Sequence, residues 1–238
     1  MLRGKARREI KRKVEKGMRN MIKACIFDMD GTTVNSIESI AYFANRALNK
    51  YGLPSIDTER NKLLVGNGAT TLVKRMFAEV GAADDIYEEV LNEYNKSYDD
   101  NFLYLAKPYD GICELLKKLK KSGIKTAIVS NKPDSTAKKI SDELFGKELI
   151  DICVGARDGV PLKPDPAAVV EVMVKFEAEP GDCLYIGDTA TDILTGKNAG
   201  IYTVGVLWGF RSREEIEGAG ACMVTDNPSD IFIKATDK

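Results

Sequence analysis

The sequence predicts an α/β protein built on a mainly parallel sheet. Three observations carry that expectation. Short apolar runs alternate with stretches of helical periodicity along most of the chain. The carboxyl ends of those runs are unusually polar, as at the mouth of an open parallel sheet. One long interval after the first run is helical throughout, which predicts a second domain inserted there.

The strands are read in order as Ile22–Phe27, Lys125–Val129, Ile152–Ala156, Cys183–Ile186 and Tyr202–Trp208. Between them, Ile112, Leu115, Leu116 and Leu119 mark one amphipathic helix, Ile140 and Leu144 a second, and Val169, Val170, Met173 and Val174 a third. The helical interval carries three apolar stripes: Ile37, Ile40, Ala41, Ala44 and Leu48, then Leu72, Val73, Met76, Phe77 and Val80, then Tyr87, Val90, Leu91, Tyr94 and Tyr98. The expected organisation is a basic extension over 1–20, a core over 21–34 and 106–238, and a helical domain over 35–105. The last stripe, though rich in tyrosine, is read as packing within that helical domain.

Composition narrows the chemistry. The 238 residues include no histidine, so an imidazole base, a phosphohistidine or a Ser-His-Asp triad is excluded. No CxxC pair offers a substitute zinc site. The five cysteines are scattered and read as small core residues of a reducing compartment, so a cytoplasmic protein is expected. No apolar run has the length of a membrane span, and no signal-peptide core is visible. The net charge of -1 argues against nucleic acid as a partner. That charge is unevenly distributed. Residues 1–20 hold nine bases and two acids, a net +7, which leaves -8 on the other 218. Leu2, Ala6, Ile10, Val14 and Met18 form only a thin stripe there, so a solvated extension is expected rather than a docking helix.

Four polar clusters stand at or beyond successive strand ends. They are Asp28-Met29-Asp30-Gly31-Thr32, Ser130-Asn131-Lys132, Lys163-Pro164-Asp165-Pro166 and Gly187-Asp188-Thr189-Ala190-Thr191-Asp192. Asp28, Asp30, Asp188 and Asp192 in one crevice would repel one another unless a cation neutralised them or some took up protons. Oxygen-only donors suit Mg²⁺. A metal, the Lys163 ammonium and the Ser130 and Asn131 donors together suit a phosphoryl group.

These four clusters, in their order and spacing, resemble the four motifs of the haloacid dehalogenase-like superfamily. The helical insert resembles that family's type 1 cap, and the likeness runs from residue 22 to about 232. Val204–Phe210 with Ala219-Gly220-Ala221 behind it resembles the phosphoglycolate phosphatases and their close relatives. The resemblance implies a Rossmann-like core and a Mg²⁺-dependent phosphatase, a monomer or homodimer, acting on a small phosphorylated metabolite. It implies Asp28 as nucleophile forming an aspartyl-phosphate, Asp30 as general acid and then base, and Lys163 as charge partner. Asp28, the Asp30 carbonyl and Asp188 would hold the metal, with Asp192 holding the metal's water shell or Lys163. Thr32, Ser130, Asn131 and Lys132 would contact phosphate or substrate.

Two positions depart from the pattern: Asn35 stands where many relatives have Asp, and Thr33 where Leu is usual. Neither carries the chemistry. In the insert, Val65-Gly66-Asn67-Gly68-Ala69 is a turn between two stripes, and in capped relatives this turn reaches over the site. Gly66, Asn67 and Gly68 are therefore candidate substrate contacts, the glycines letting backbone N–H groups approach an anion. Lys74 and Arg75 are either ligands for a substrate carboxylate or part of an exposed helix face. 2-Phosphoglycolate is the expected substrate. The alternatives are a phosphosugar mutase of the β-phosphoglucomutase type, a pyrophosphatase or nucleotidase, and an inactive module docking through its basic extension.

Overall fold

The computed structural model describes residues 22–237, so the basic segment 1–20 and its stripe lie outside the described residues. The chain enters through β1 (Ala24–Phe27) and turns into the short β2 (Val34–Asn35). Helices α1 (Ile37–Lys50), α2 (Thr58–Leu64), α3 (Ala69–Val80) and α4 (Tyr87–Asp99) follow. The chain returns through β3 (Lys107–Pro108), antiparallel to β2, with Val34 opposite Pro108 and Asn35 opposite Lys107. Strands and helices then alternate: α5 (Ile112–Lys121), β4 (Lys125–Pro133), α6 (Asp134–Leu144), α7 (Gly146–Leu149), β5 (Ile152–Ala156), α8 (Ala167–Phe176), β6 (Cys183–Gly187), α9 (Ala190–Asn198), β7 (Tyr202–Val206), α10 (Arg213–Gly218), β8 (Met223–Thr225) and α11 (Pro228–Thr236).

Six strands form one sheet in the order β5-β4-β1-β6-β7-β8, every neighbouring pair parallel. All four residues of β1 are fully buried, as a central strand with both faces covered requires. Their side chains alternate. Cys25 and Phe27 enter one apolar cluster with Ile112, Leu116, Ile140 and Ile231, while Ala24 and Ile26 enter the other with Val169, Val172 and Tyr185. Burying one large side chain of this kind is worth about 1.5–3 kcal/mol, so β1 is anchored from both sides. The chain departs from β1 to one side as β4 and later to the other as β6. The crevice opens where those two diverge, at their carboxyl ends.

The α/β class and the helical insert appear as expected, with differences that have physical reasons. The sequence misses α2, which has too few apolar residues to display a period. It is set by its N-cap, where Asp57 Oδ1 accepts from Glu59 N–H at 2.8 Å, and by Asn61, whose Nδ2 donates to the Ile56 carbonyl at 3.0 Å. The edge strand β8 and the β2–β3 ribbon are likewise too short to stand out. Val170 and Val174, expected on the apolar face of α8, are 42% and 72% exposed; Val169, Val172 and Met173 carry the packing. Finally, β4 does not stop at Val129. It continues through Pro133 with a register shift between those residues, so Ser130, Asn131 and Lys132 sit on an irregular strand end that re-aims their side chains.

The insert packs as a continuation of one face of the sheet. Phe43 of α1, Met76 and Phe77 of α3, and Val90, Tyr94 and Tyr98 of α4 are buried in the cluster that also reaches the sheet. No helix of the described residues is long and apolar enough to cross a membrane.

Candidate active site

The site begins with Asp28, the residue immediately beyond β1. Its backbone N–H donates to the Ile186 carbonyl at 2.8 Å, which fixes the strand end against β6. Its Oδ1 accepts from Met29 N–H at 2.6 Å and lies 2.7 Å from Lys163 Nζ. The same ammonium lies 2.8 Å from Asp192 Oδ1, and the Lys163 side chain is only 3% exposed. One lysine thus bridges the ends of two elements that are far apart in sequence.

Asp192 opens α9 in a capping box. Its Oδ2 accepts from Thr189 N–H at 3.1 Å and from Thr189 Oγ1 at 2.7 Å. Both of its oxygens are therefore already engaged. Asp188, just beyond β6, accepts from Thr32 Oγ1 at 2.9 Å and from the Phe210 backbone N–H at 2.8 Å. Two glycines make room for it. Gly31 has φ +85°, and a Cβ there would lie 2.2 Å from Asp188 Oδ2. A Cβ on Gly209 would lie 2.3 Å from the Cβ of Asp188. The glycine after Asp30 and the one after Trp208 are thus demanded by one carboxylate.

Asp28, Asp188 and Asp192 can each present an oxygen such that all three lie within 4.8 Å of one another, and all three residues are buried. Crowding shows in the proton affinities of Asp28 and Asp188. Burial, then the Asp192 charge, raises Asp28 well above the ordinary carboxylate range; Lys163 works against this. Burial and then Asp192 push Asp188 up to about 7. Lys163 is held above its ordinary range: burial disfavours its charge, but Asp192 and Asp28 outweigh that. Buried oxygen donors that resist ionising together fit a hard divalent cation, which would offset their repulsion.

The sign of the pH effect follows. Asp188 holds a proton in the metal-free fold up to about 7, whereas an unfolded aspartate releases it near about 4. The contribution is therefore present below the unfolded value and lost as pH rises through the folded one. A cation competes for the same oxygens. We predict that the Mg²⁺-induced rise in melting temperature over an EDTA control grows from pH 5.5 to pH 8, and that Asp188→Asn flattens it. An increment independent of pH in the unaltered protein would contradict this.

Asp30 stands apart from that cluster. Ser36 Oγ donates to its Oδ1 at 2.7 Å, and Lys132 Nζ lies 3.3 Å from its Oδ2. Lys132 also donates to the Tyr98 hydroxyl at 3.1 Å and lies 4.2 Å from that ring's centroid. Burial opposes the Lys132 charge, but Asp30, then Tyr98 and Tyr94, hold it above the ordinary lysine range.

A cavity of about 410 Å³ lies between sheet and insert. Asp28, Asp30, Ser130, Asn131, Lys132 and Lys163 line its floor; Gly66, Gly68, Leu72, Tyr94 and Tyr98 line its roof. Other expected residues are placed differently. Thr32 is fully buried and spends its hydroxyl on Asp188, so it orients an acid rather than facing the cavity. Asn131 borders the cavity, but its amide is a tie. Its Oδ1 accepts from Lys163 N–H at 2.9 Å, and its Nδ2 donates to the Gly66 carbonyl at 3.2 Å. Asn67 turns the other way, to Thr191 Oγ1 at 3.2 Å, and lines an adjoining cavity instead. Arg75 is committed within the insert, to the Leu64 carbonyl at 2.8 Å and Asn67 Oδ1 at 2.9 Å, and Lys74 lies 6.0 Å from the Tyr87 ring centroid. Sequence reasoning passed over Tyr94 and Tyr98 as cavity wall, because a stripe at helical spacing does not reveal which part of a buried face borders a void. It also passed over Ser36 and the Phe210 N–H, which no local pattern marks.

Comparison with known proteins matches this arrangement to a family. The model of haloacid dehalogenase-like hydrolases matches residues 25–206. Phosphoglycolate phosphatase 1 of Pseudomonas aeruginosa is 31% identical over 211 residues, covering 87% of this chain and 77% of that protein. The N-acetylmuramic acid 6-phosphate phosphatase of the same species is 30% identical over 215 residues, covering 90% and 95%. The crystal structure of a predicted phosphoglycolate phosphatase from Haemophilus somnus superposes with a TM-score of 0.84 at 27% identity, covering 91% of this chain and 98% of that one. With its motif acids and lysine gathered at the switch point of a parallel sheet, and with likeness along most of its length, the chain belongs to the haloacid dehalogenase-like hydrolase family.

Proposed function

We propose that this protein is a Mg²⁺-dependent phosphomonoester hydrolase working through an aspartyl-phosphate on Asp28, with 2-phosphoglycolate as its substrate. The observation that carries the reading is the buried Lys163, shared between Asp28 and Asp192 at the floor of the cavity. A carboxylate attacks an anionic phosphoryl group only where positive charge offsets their repulsion. We divide the chain as a core over 21–34 and 106–238 and a cap over 35–105, supported by the paired crossing strands β2 and β3. A cytoplasmic location is inferred from five free cysteines, two of them buried in the core.

In the first step an Asp28 oxygen bonds to phosphorus as the ester P–O bond breaks, and Asp30 gives its proton to the leaving alkoxide. In the second, Asp30 takes a proton from water as that water's oxygen attacks phosphorus, releasing inorganic phosphate and free Asp28. Ser36 and Lys132 hold the Asp30 carboxyl toward the cavity throughout. Asp28, Asp188 and the Asp30 main-chain carbonyl would hold Mg²⁺, which would supply positive charge to offset the phosphoryl oxygens. Asp192, its oxygens engaged by Lys163 and Thr189, serves by placing that lysine. Ser130 and Lys132 meet phosphate or substrate from the floor, Gly66 and Gly68 from the roof.

The cavity favours one second reading. Its volume of about 410 Å³ and its apolar wall of Ile40, Val65, Leu72 and Tyr94 exceed what a two-carbon acid fills, and suit a phosphorylated sugar. A phosphate-release screen across small phosphates and phosphosugars, with Mg²⁺ or with EDTA, separates the two. A preference for 2-phosphoglycolate by kcat/KM is expected, and a higher value for a phosphosugar selects the second reading. Absence of Mg²⁺-dependent release from every ester would overturn both.

A further inference from the structure

Arg211 stands two residues beyond a glycine pressed against Asp188, yet its side chain leaves the core. Its guanidinium reaches the end of α2 in the insert. It donates to the Lys62 carbonyl, to the Val65 carbonyl at 2.8 Å and to the Leu63 carbonyl at 3.3 Å. The last carbonyls of a helix have no partner within it, and a cation there also answers the helix dipole. The remaining carbonyl of that stretch, Leu64, is taken by Arg75 from α3. Two arginines, one from each domain, thus hold the same four residues from opposite sides.

Those residues lead directly into the turn that roofs the cavity. The hold is built from the core side. Phe210 N–H is bound to Asp188, and Trp208 Nε1 donates to the Thr32 carbonyl at 3.0 Å, so the chain entering Arg211 is fixed. The Arg211 side chain is only 9% exposed, and its Nε lies 3.4 Å from Glu215 Oε1. Beyond the turn, Asn131 and Thr191 make the other core contacts to Gly66 and Asn67.

We propose that Arg211 is a positioning residue that holds the turn Val65–Ala69 over the cavity and thereby sets which esters are accepted. The activity part of this rests on the phosphatase reading; the structural part does not. The tests use Arg211→Ala and Arg211→Lys, with Arg213→Ala as control, since the exposed Arg213 pairs with Glu217. In hydrogen exchange, the amides of 62–69 are expected to lose at least about tenfold protection in Arg211→Ala, while those of 24–27 and the Arg213→Ala control are unchanged. In kinetics, kcat/KM for 2-phosphoglycolate should fall about ten- to a hundredfold, chiefly through KM. Turnover of p-nitrophenyl phosphate, whose aryl group needs no closed roof, should stay within about threefold. Arg211→Lys should recover part of the loss, since an ammonium keeps the charge but not the fork that spans three carbonyls. Unchanged exchange at 62–69, or an equal loss on both esters, would overturn the proposal. If the unaltered protein hydrolyses neither ester, the phosphatase reading fails and the exchange result alone decides the role of Arg211.

Discussion

Asp28→Asn should lower Mg²⁺-dependent phosphate release by at least about 10⁴-fold while leaving the protein folded. An amide can accept from Met29 N–H and Lys163 as the carboxylate does, so the local bonds survive. What it loses is a nucleophile able to form the acyl phosphate. The same change should not lower the melting temperature in EDTA. Burial and the neighbouring Asp192 already disfavour the Asp28 charge, so a neutral group there relieves crowding. Inactivity together with equal or greater metal-free stability is the signature to look for. Release within tenfold of the unaltered rate would remove Asp28 from the mechanism.

Lys163→Met should do the opposite to stability. Asp28 and Asp192 would remain buried without the ammonium that lies 2.7 and 2.8 Å from them. Breaking a buried pair by removing one partner typically costs about 3–5 kcal/mol, because the surviving charge stays desolvated. For a domain of this size that corresponds to a fall in melting temperature of about 10 °C. The deficit, read from urea titrations, should shrink at pH 5, where Asp28, whose proton affinity burial already raises, takes up a proton. Mg²⁺ should stabilise the variant more than it stabilises the unaltered protein. Turnover should fall by at least about 10³-fold, since the charge that offsets nucleophile and phosphoryl is gone. A variant as stable as the parent at pH 7 would show that the bridge does not carry the charge balance assigned to it.

How far the sequence could be read depended on the reach of each interaction. Asp28, Asp30, Ser130, Asn131 and Asp188 were legible because polar residues at the end of an apolar run are a local signal, and the sheet then does the gathering; Lys163, beyond the end of β5 in a loop, was legible only from the order of the motifs. Long-range hydrogen bonding was not legible. Thr32 is equidistant, in any sequence pattern, between a phosphate contact and a bond to an aspartate 156 positions away. The commitment of Arg75 to the Leu64 carbonyl and the reach of Arg211 across the interface have no periodic trace either. Helix α2 escaped because seven residues with two leucines give no apolar period, and it is held by an N-cap, a buried asparagine and the arginines at its end. Tyr94 and Tyr98 show the limit most plainly, since one helical face both packs the insert and walls the cavity.

The β2–β3 ribbon has a consequence for engineering and for descent. The outgoing and returning strands of the insert lie hydrogen-bonded side by side, so the helical segment leaves and rejoins the chain at two neighbouring points. Ends already in contact add little closure entropy whatever length lies between them. A chimera made by exchanging everything between Val34 and Lys107 for the matching segment of a relative should therefore keep Asp28, Asp188, Asp192, Lys163 and the six-stranded sheet, while replacing Ser36 and Tyr98, the partners of Asp30 and Lys132. Such a fold can change its diet by recombination at two peptide bonds, provided the new segment brings its own partners for Asp30 and Lys132.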